Sequence, residues 1–162
     1  MAQVLQITLN EILSGISKAI YDVFGEELFI YLEQEEKLEL PAVAVYCMDY
    51  KKVMERNDRW NNTINIIINY FPTDSVIINN KRAEMFRTAE KIMDAITYIN
   101  LPAYQKDNEG NFLETTLKSR AQDLGVEERE GFIQITATFV VRTKKYTEYT
   151  KMTQLNLEVT NK

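Results

Sequence analysis

The chain has 162 residues, of which 45% are apolar, and a formal net charge of −5. That length supports one packed domain and is short for two, and the apolar fraction excludes wholesale disorder. With no His and one Cys, Ser-His-Asp and Cys-His nucleophile systems and His/Cys zinc sites are excluded, and the negative charge argues against non-specific binding to nucleic acid.

The opening residues MAQVLQITLNEILSG carry neither the basic nor the apolar region of a signal peptide. No apolar run reaches the roughly 18 residues of a membrane span. The expectation is a cytoplasmic chain, and Cys47, which has no second Cys to pair with, agrees with a reducing compartment. Thr8-Leu9-Asn10-Glu11 reads as a capping box. Leu9, Ile12, Leu13, Ile16, Ile20 and Val23 follow at helical spacing, with Ser14, Lys18 and Asp22 opposite and Gly25 at the C-terminal cap. A first helix is predicted over about residues 9 to 24.

Leu28 to Leu32 is a short strand, and the acidic stretch Glu33 to Glu39 is a loop. From Pro41 to Tyr50, Val43, Val45 and Cys47 share one face, and Ala42, Ala44, Tyr46 and Met48 share the other. Both faces are apolar, which predicts a central strand covered on two sides. Lys51 to Asp58 is a polar connection. Arg59 to Phe71 is the next strand, with Ile64, Ile66, Ile68 and Tyr70 alternating against Thr63, Asn65, Ile67 and Asn69. The two runs make an antiparallel hairpin that can project from the domain body. Its Asn-bearing side faces water or a partner, and Pro72 ends the ladder.

Asp74 to Asn80 reads as a turn into a second helix over about residues 78 to 99. Its core stripe is Met85, Phe86, Ala89, Ile92, Met93 and Ile96, and Leu101-Pro102 stops it. Asp107 to Asn111 is a turn, Phe112 to Leu124 reads as a strand although Leu113, Leu117 and Ala121 also fit a helical period, and Gly125 to Gly131 is a hairpin turn. Phe132 to Val141 alternates strongly, with Ile133, Ile135, Ala137, Phe139 and Val141 on one face. From Arg142 onward Thr, Lys and Tyr dominate, and Leu155, Leu157 and Val159 alternate near the end of the sequence. This last stretch either joins its own sheet or pairs with a neighbouring subunit by strand addition.

Catalytic chemistry is sparse. Cys47 sits mid-strand in apolar surroundings, as an inert thiol does. The Gly125 and Gly131 spacing is not that of a phosphate loop, and no Lys-Ser/Thr follows. The carboxylates Glu33, Glu35, Glu36 and Glu39, and Glu127, Glu128 and Glu130, lie in predicted loops as solvated charge. Asp49 with Lys51 and Lys52 is a faint version of a metal-dependent nuclease set. Charge is unevenly spread. Glu26 to Glu39 holds six Glu against one Lys, whereas Lys51 to Arg59 holds four bases against two acids and Arg142 to Lys151 four against one. Such segments are solvated loops and strand ends, or complementary patches where copies of one subunit meet. The candidate subunit or tube interface is therefore Lys51, Lys52, Arg56, Arg59, Arg142, Lys144, Lys145, Tyr146, Tyr149, Leu155, Leu157 and Val159, Tyr being enriched at protein contacts.

These pieces in this order resemble the tail terminator proteins of tailed phages and of contractile phage-tail-like particles. The carriers are LNEILSGISKAIYDVFGE, LFIYLE, PAVAVYCMDY with the charged KKVMERNDRW, NNTINIIINYFP, AEMFRTAEKIMDAITYI, GFIQITATFVVRTKK and a polar tail containing LNLEV. Tyr70-Phe71-Pro72 is the most characteristic piece. The chain departs from the family before the hairpin, where it reads EQEEKLELP and family members often carry Gly. The resemblance implies an α+β fold over residues 1 to 145: a mainly antiparallel sheet with two amphipathic helices on one face, a projecting hairpin and a C-terminal strand or arm over 146 to 162. It implies a structural protein rather than an enzyme, with no cofactor. The implied assembly is a ring, usually of six copies, on the head-proximal end of the tail tube of a virion or tail-like particle, built in the bacterial host cytoplasm. The implied partners are further copies of itself, the tube and sheath proteins and a neck or head-completion protein, without membrane or specific nucleic acid. A tube subunit, a head–tail joining protein and, further off, a small metal-dependent nuclease remain alternatives.

Overall fold

In the computed structural model, residues 8–32, 37–56 and 59–144 are described. Helix α1 spans Leu9–Phe24 and opens on the expected capping box: the Thr8 hydroxyl accepts from the Glu11 N–H at 3.2 Å, and the Thr8 N–H donates to the Glu11 carboxylate at 2.9 Å. Two otherwise orphaned helix-end donors are thereby satisfied. Gly25 closes the helix at φ 59, a left-handed conformation that a side chain disfavours. Ile12, Leu13, Ile16 and Ile20 are buried. Val23 is not, being 56% exposed; Phe24 packs against the core instead. In the last turn the buried stripe has rotated by one residue, which spacing alone does not resolve.

The strands are β1 (Phe29–Tyr31), β2 (Ala42–Met54), β3 (Arg59–Phe71), β4 (Tyr98–Lys106), β5 (Phe112–Arg129) and β6 (Phe132–Lys144). They form one sheet in the order β1-β2-β3-β6-β5-β4. Only β1 joins in parallel, so the fold is α+β and mainly antiparallel. A bulge at Met48 and another at Gln122 shift the register. The first returns Tyr50 to the face of Val43, Val45 and Cys47. β5 divides its pairing: Phe112–Arg120 bonds β4, and Ala121–Arg129 bonds β6.

Between β3 and β4 lie α2 (Asp74–Ile78) and α3 (Arg82–Ala95). α1 packs on β4 and β2, and α3 packs on β6 and against α1. The core lies between these helices and one face of the sheet. It contains Ile12, Ile16, Ile20, Met85, Ala89 and Ile92 from the helices and Val45, Ile66, Ile68, Ile135 and Phe139 from the strands. Met85 is buried in this core and Met93 packs against it, as gap-filling Met residues do. Gly15 lets α1 lie close to β4, since a Cβ there would sit 3.0 Å from the Asn100 carbonyl oxygen.

Four sequence expectations are corrected. Lys51–Met54 continues β2 rather than forming the connection. The segment read as a turn at 74–80 contains α2, and the second long helix ends at Ala95, not near 99. Residues read as its last turn instead open β4, where Ile99, Leu101 and Ala103 are buried. Pro102 is tolerated there because β4 is an edge strand and needs no donor on its outer side. Gly125–Arg129 belongs to β5, leaving Glu130-Gly131 as the turn, with Gly131 at φ 82.

Candidate functional site

The antiparallel register brings together residues that lie far apart in sequence. β6 runs beside β3 from Tyr70↔Ile133 to Arg59↔Lys144, so the end of β6 lies at the tip of the β2–β3 hairpin. Lys51 pairs with Thr63, Val53 with Asn61, and Asn61 with Arg142. Strand alternation puts Lys51, Arg59 and Arg142 on the sheet face away from the helices and Lys52 on the other face. Arg56 lies in the connecting loop, where the Glu55 N–H donates to the Arg59 carbonyl. Lys145, Tyr146, Tyr149, Leu155, Leu157 and Val159 fall outside the described residues.

Exposure changes sharply along this ribbon. β2 is buried over Ala42–Val45 and largely exposed from Met48 to Met54. Met48, Val53 and Met54 are each about half exposed or more, at 57%, 48% and 56%. Lys52 Nζ lies 5.4 Å from the Trp60 ring centroid, within cation–π reach. The Arg142 Nε is 3.8 Å from Glu55 Oε2. Exposed pairs of this kind add little stability, so they leave the tip basic without locking it.

A polar cluster closes the core just below this tip. Asn62 is 0% exposed and Thr143 4%. The Asn62 amide donates to the Val141 carbonyl at 2.8 Å and to the Thr143 hydroxyl at 3.1 Å, and its oxygen accepts from the Tyr50 hydroxyl at 2.9 Å. Burial, and next the nearby Cys47, push the Tyr50 hydroxyl above the usual tyrosine range. Burial, and then Asp49, likewise raise the Cys47 thiol, whose Sγ lies 3.1 Å from the Asp49 carbonyl. A thiol so placed is a poor nucleophile.

The opposite end of the ribbon has the opposite character. Phe71 and Phe132 meet at 5.2 Å between ring centroids, and Tyr70, next to Phe71 in the chain, is buried. Glu26 and Glu27 precede β1, Glu39 donates its N–H to the Tyr31 hydroxyl at 3.1 Å, and Glu130 sits in the β5–β6 turn. Glu128 is paired with Arg82, and Glu127 with Arg129 at 3.1 Å. One end of the strands is thus basic and the other is acidic.

Asp49 and Lys51 share the open face while Lys52 lies on the reverse, and the Asp49 carboxylate accepts from the Asn65 amide at 2.5 Å. Among the described residues, no group of three or more His, Cys, Asp or Glu is placed to hold a metal ion.

The family model for phage tail terminator protein matches residues 11–151. The chain belongs to the phage tail terminator family. A search of curated proteins matched none of them. The match runs from the first turn of α1 through the basic stretch after β6, so it covers both ends of the ribbon. Membership makes this a structural protein of phage tail assembly and a component of the virion tail. Residues that sequence reasoning passed over, chiefly Val53, Met54, Trp60 and the Asn62–Thr143 pair, belong to the same end. Their signal was present in Val53-Met54, an apolar pair inside a charged stretch.

Proposed function

We propose that copies of this chain close into a ring, of six subunits as the family resemblance implies, that caps the head-proximal end of the tail tube. The ring stops tube growth and offers a surface to a neck or head-completion protein. The observation that carries this reading is the polarity of the β2–β3–β6 ribbon: basic residues from three strands lie at one end, and Glu26, Glu27, Glu39 and Glu130 lie beside the other. A ring needs two different patches that meet head to tail, and complementary charge selects that contact over its alternatives. The half-exposed Val53 and Met54 add apolar area at the same end.

The test is to purify the chain, measure its mass by light scattering with and without tail tubes, and inspect the tubes by negative-stain microscopy. A ring-sized species and tubes capped at one end, with a narrowed length distribution, are expected. A chain that stays monomeric and leaves tube ends bare, or that polymerises by itself into long tubes, overturns the reading.

A further inference from the structure

A groove of about 700 Å³ runs between α1 and the edge strand β1. Its walls include Tyr21 from the helix and Phe29, Ile30 and Leu32 from the strand segment. Tyr21, Phe29 and Leu32 are 51%, 41% and 38% exposed, an apolar surface left uncovered beside a strand edge. β1 stands at the end of the strand order and pairs with β2 alone among the described strands. The Phe29 N–H donates to the Pro41 carbonyl, so the next residue, Ile30, turns its N–H and C=O to the open side. An edge of this kind takes an added strand, with backbone bonds for affinity and a side groove for alternate side chains.

We propose that the segment Leu155–Val159 of a second copy fills this groove as an added strand beside β1. The inference rests on the ring reading above in that this second copy is the ring neighbour. Leu155, Leu157 and Val159 recur at period two, which puts three aliphatic side chains on one face of a five-residue strand. Charge agrees. Glu26 lines the groove, and its Lys18 is paired with Asp22; in sequence, Glu26–Glu39 holds six Glu and one Lys, and the incoming strand is preceded by Arg142–Lys151 with four bases and one acid.

Geometry favours a neighbour over the chain's own segment. β1 lies level with Asn69–Phe71 of β3, whereas Lys144 lies level with Arg59. Ten β3 residues at about 3.3 Å and three strand spacings at about 4.8 Å separate the two points by roughly 36 Å in a straight line. The steps from Lys144 to Leu155 reach at most about 40 Å when fully extended. That leaves no slack for a path over the helices or around the sheet edge.

The test uses the full chain with Cys47→Ser. One preparation carries Ser17→Cys, in the groove wall. A second, distinguishable by a size tag, carries Leu155→Cys, Leu157→Cys or Val159→Cys in turn. The two are mixed and oxidised. A disulfide-linked pair of one tagged and one untagged chain, strongest at one of the three positions, is expected. In otherwise unaltered chain, Leu157→Asp should weaken self-association at least tenfold while circular dichroism is unchanged. Crosslinks that form only within one chain when both cysteines are placed in it overturn the proposal, as does the absence of any crosslink. If capped tubes and rings persist without the crosslink, the groove assignment fails and the ring reading stands; if neither forms, both fail.

Discussion

The two ends of the β2–β3–β6 ribbon are made by the same three strands in one register, yet they do different things. Toward Phe71 the helix-side rows are Val43–Tyr70–Ile133 and Val45–Ile68–Ile135, all buried. Toward Arg59 the same rows become Lys52–Asn62–Val141 and Met54–Trp60–Thr143. There the alternation continues but its chemistry turns from aliphatic to amide, hydroxyl and ammonium. Asn62, Val141 and Thr143 stay buried in the second half, and the exposed side chains there are those of outer β2, Val53 and Met54 among them. The buried Asn62 cluster marks the border between the two halves.

The contrast is open to direct attack. Phe139→Ala, in the covered half, should lower unfolding free energy by about 3–5 kcal/mol in urea titrations, because it removes the largest fully buried side chain and leaves a cavity. A loss under 1 kcal/mol would mean that the core does not carry the fold. Asn62→Ala, at the border, should cost about 1–3 kcal/mol, since the Val141 carbonyl and the Tyr50 hydroxyl both lose a buried partner. Gly15→Ala should cost about 1 kcal/mol: the helix-propensity gain is outweighed by the Cβ pressed against the Asn100 carbonyl. A stabilised variant would show that α1 and β4 can move apart freely.

A pH series distinguishes the buried tyrosines. Burial first, then Glu84, raise the Tyr70 hydroxyl, partly offset by its hydrogen bond with Thr88; burial first also raises Tyr50. The folded state therefore binds these protons more tightly than the unfolded chain, whose tyrosines titrate near pH 10. Their contribution is complete below about pH 10 and is lost as pH rises through the higher folded values. Stability should fall across that alkaline window and fall less in Tyr70→Phe; an identical alkaline slope in the variant would remove Tyr70 as a cause. The smallest effect on folding is expected at the tip. Arg56→Glu with Arg59→Glu should change unfolding free energy by under about 0.5 kcal/mol yet weaken association measured by sedimentation. Unchanged sedimentation would show that the basic end is ordinary solvated surface.

Much of the fold was legible because its local signals had no competitor. Thr8 to Glu11 with the Ile12–Ile20 stripe specified α1 to the residue, and Arg59–Phe71 was bounded by charge at one end and Pro72 at the other. The region after α3 was not legible. Ile92, Ile96 and Ile99 continue a helical spacing, and the same Ile99 with Leu101 and Ala103 also makes a period-two pattern. Local sequence does not choose between the two; β5, pairing Ile99↔Ser119 and Leu101↔Leu117, does. The basic residues of the candidate interface were visible as two separate patches. That Lys51, Arg59 and Arg142 share one end and one face was not visible.

The sequence by itself determined the class of fold, the identity of most core residues and the absence of His-based chemistry, because burial pattern and composition are local properties. Only the tertiary structure decided where the two basic stretches meet, which strand edge borders the apolar groove, and that acids and bases occupy opposite ends of one ribbon. Those facts depend on antiparallel register, which joins Asn61 to Arg142 across about eighty residues of chain, and no local periodicity encodes that pairing.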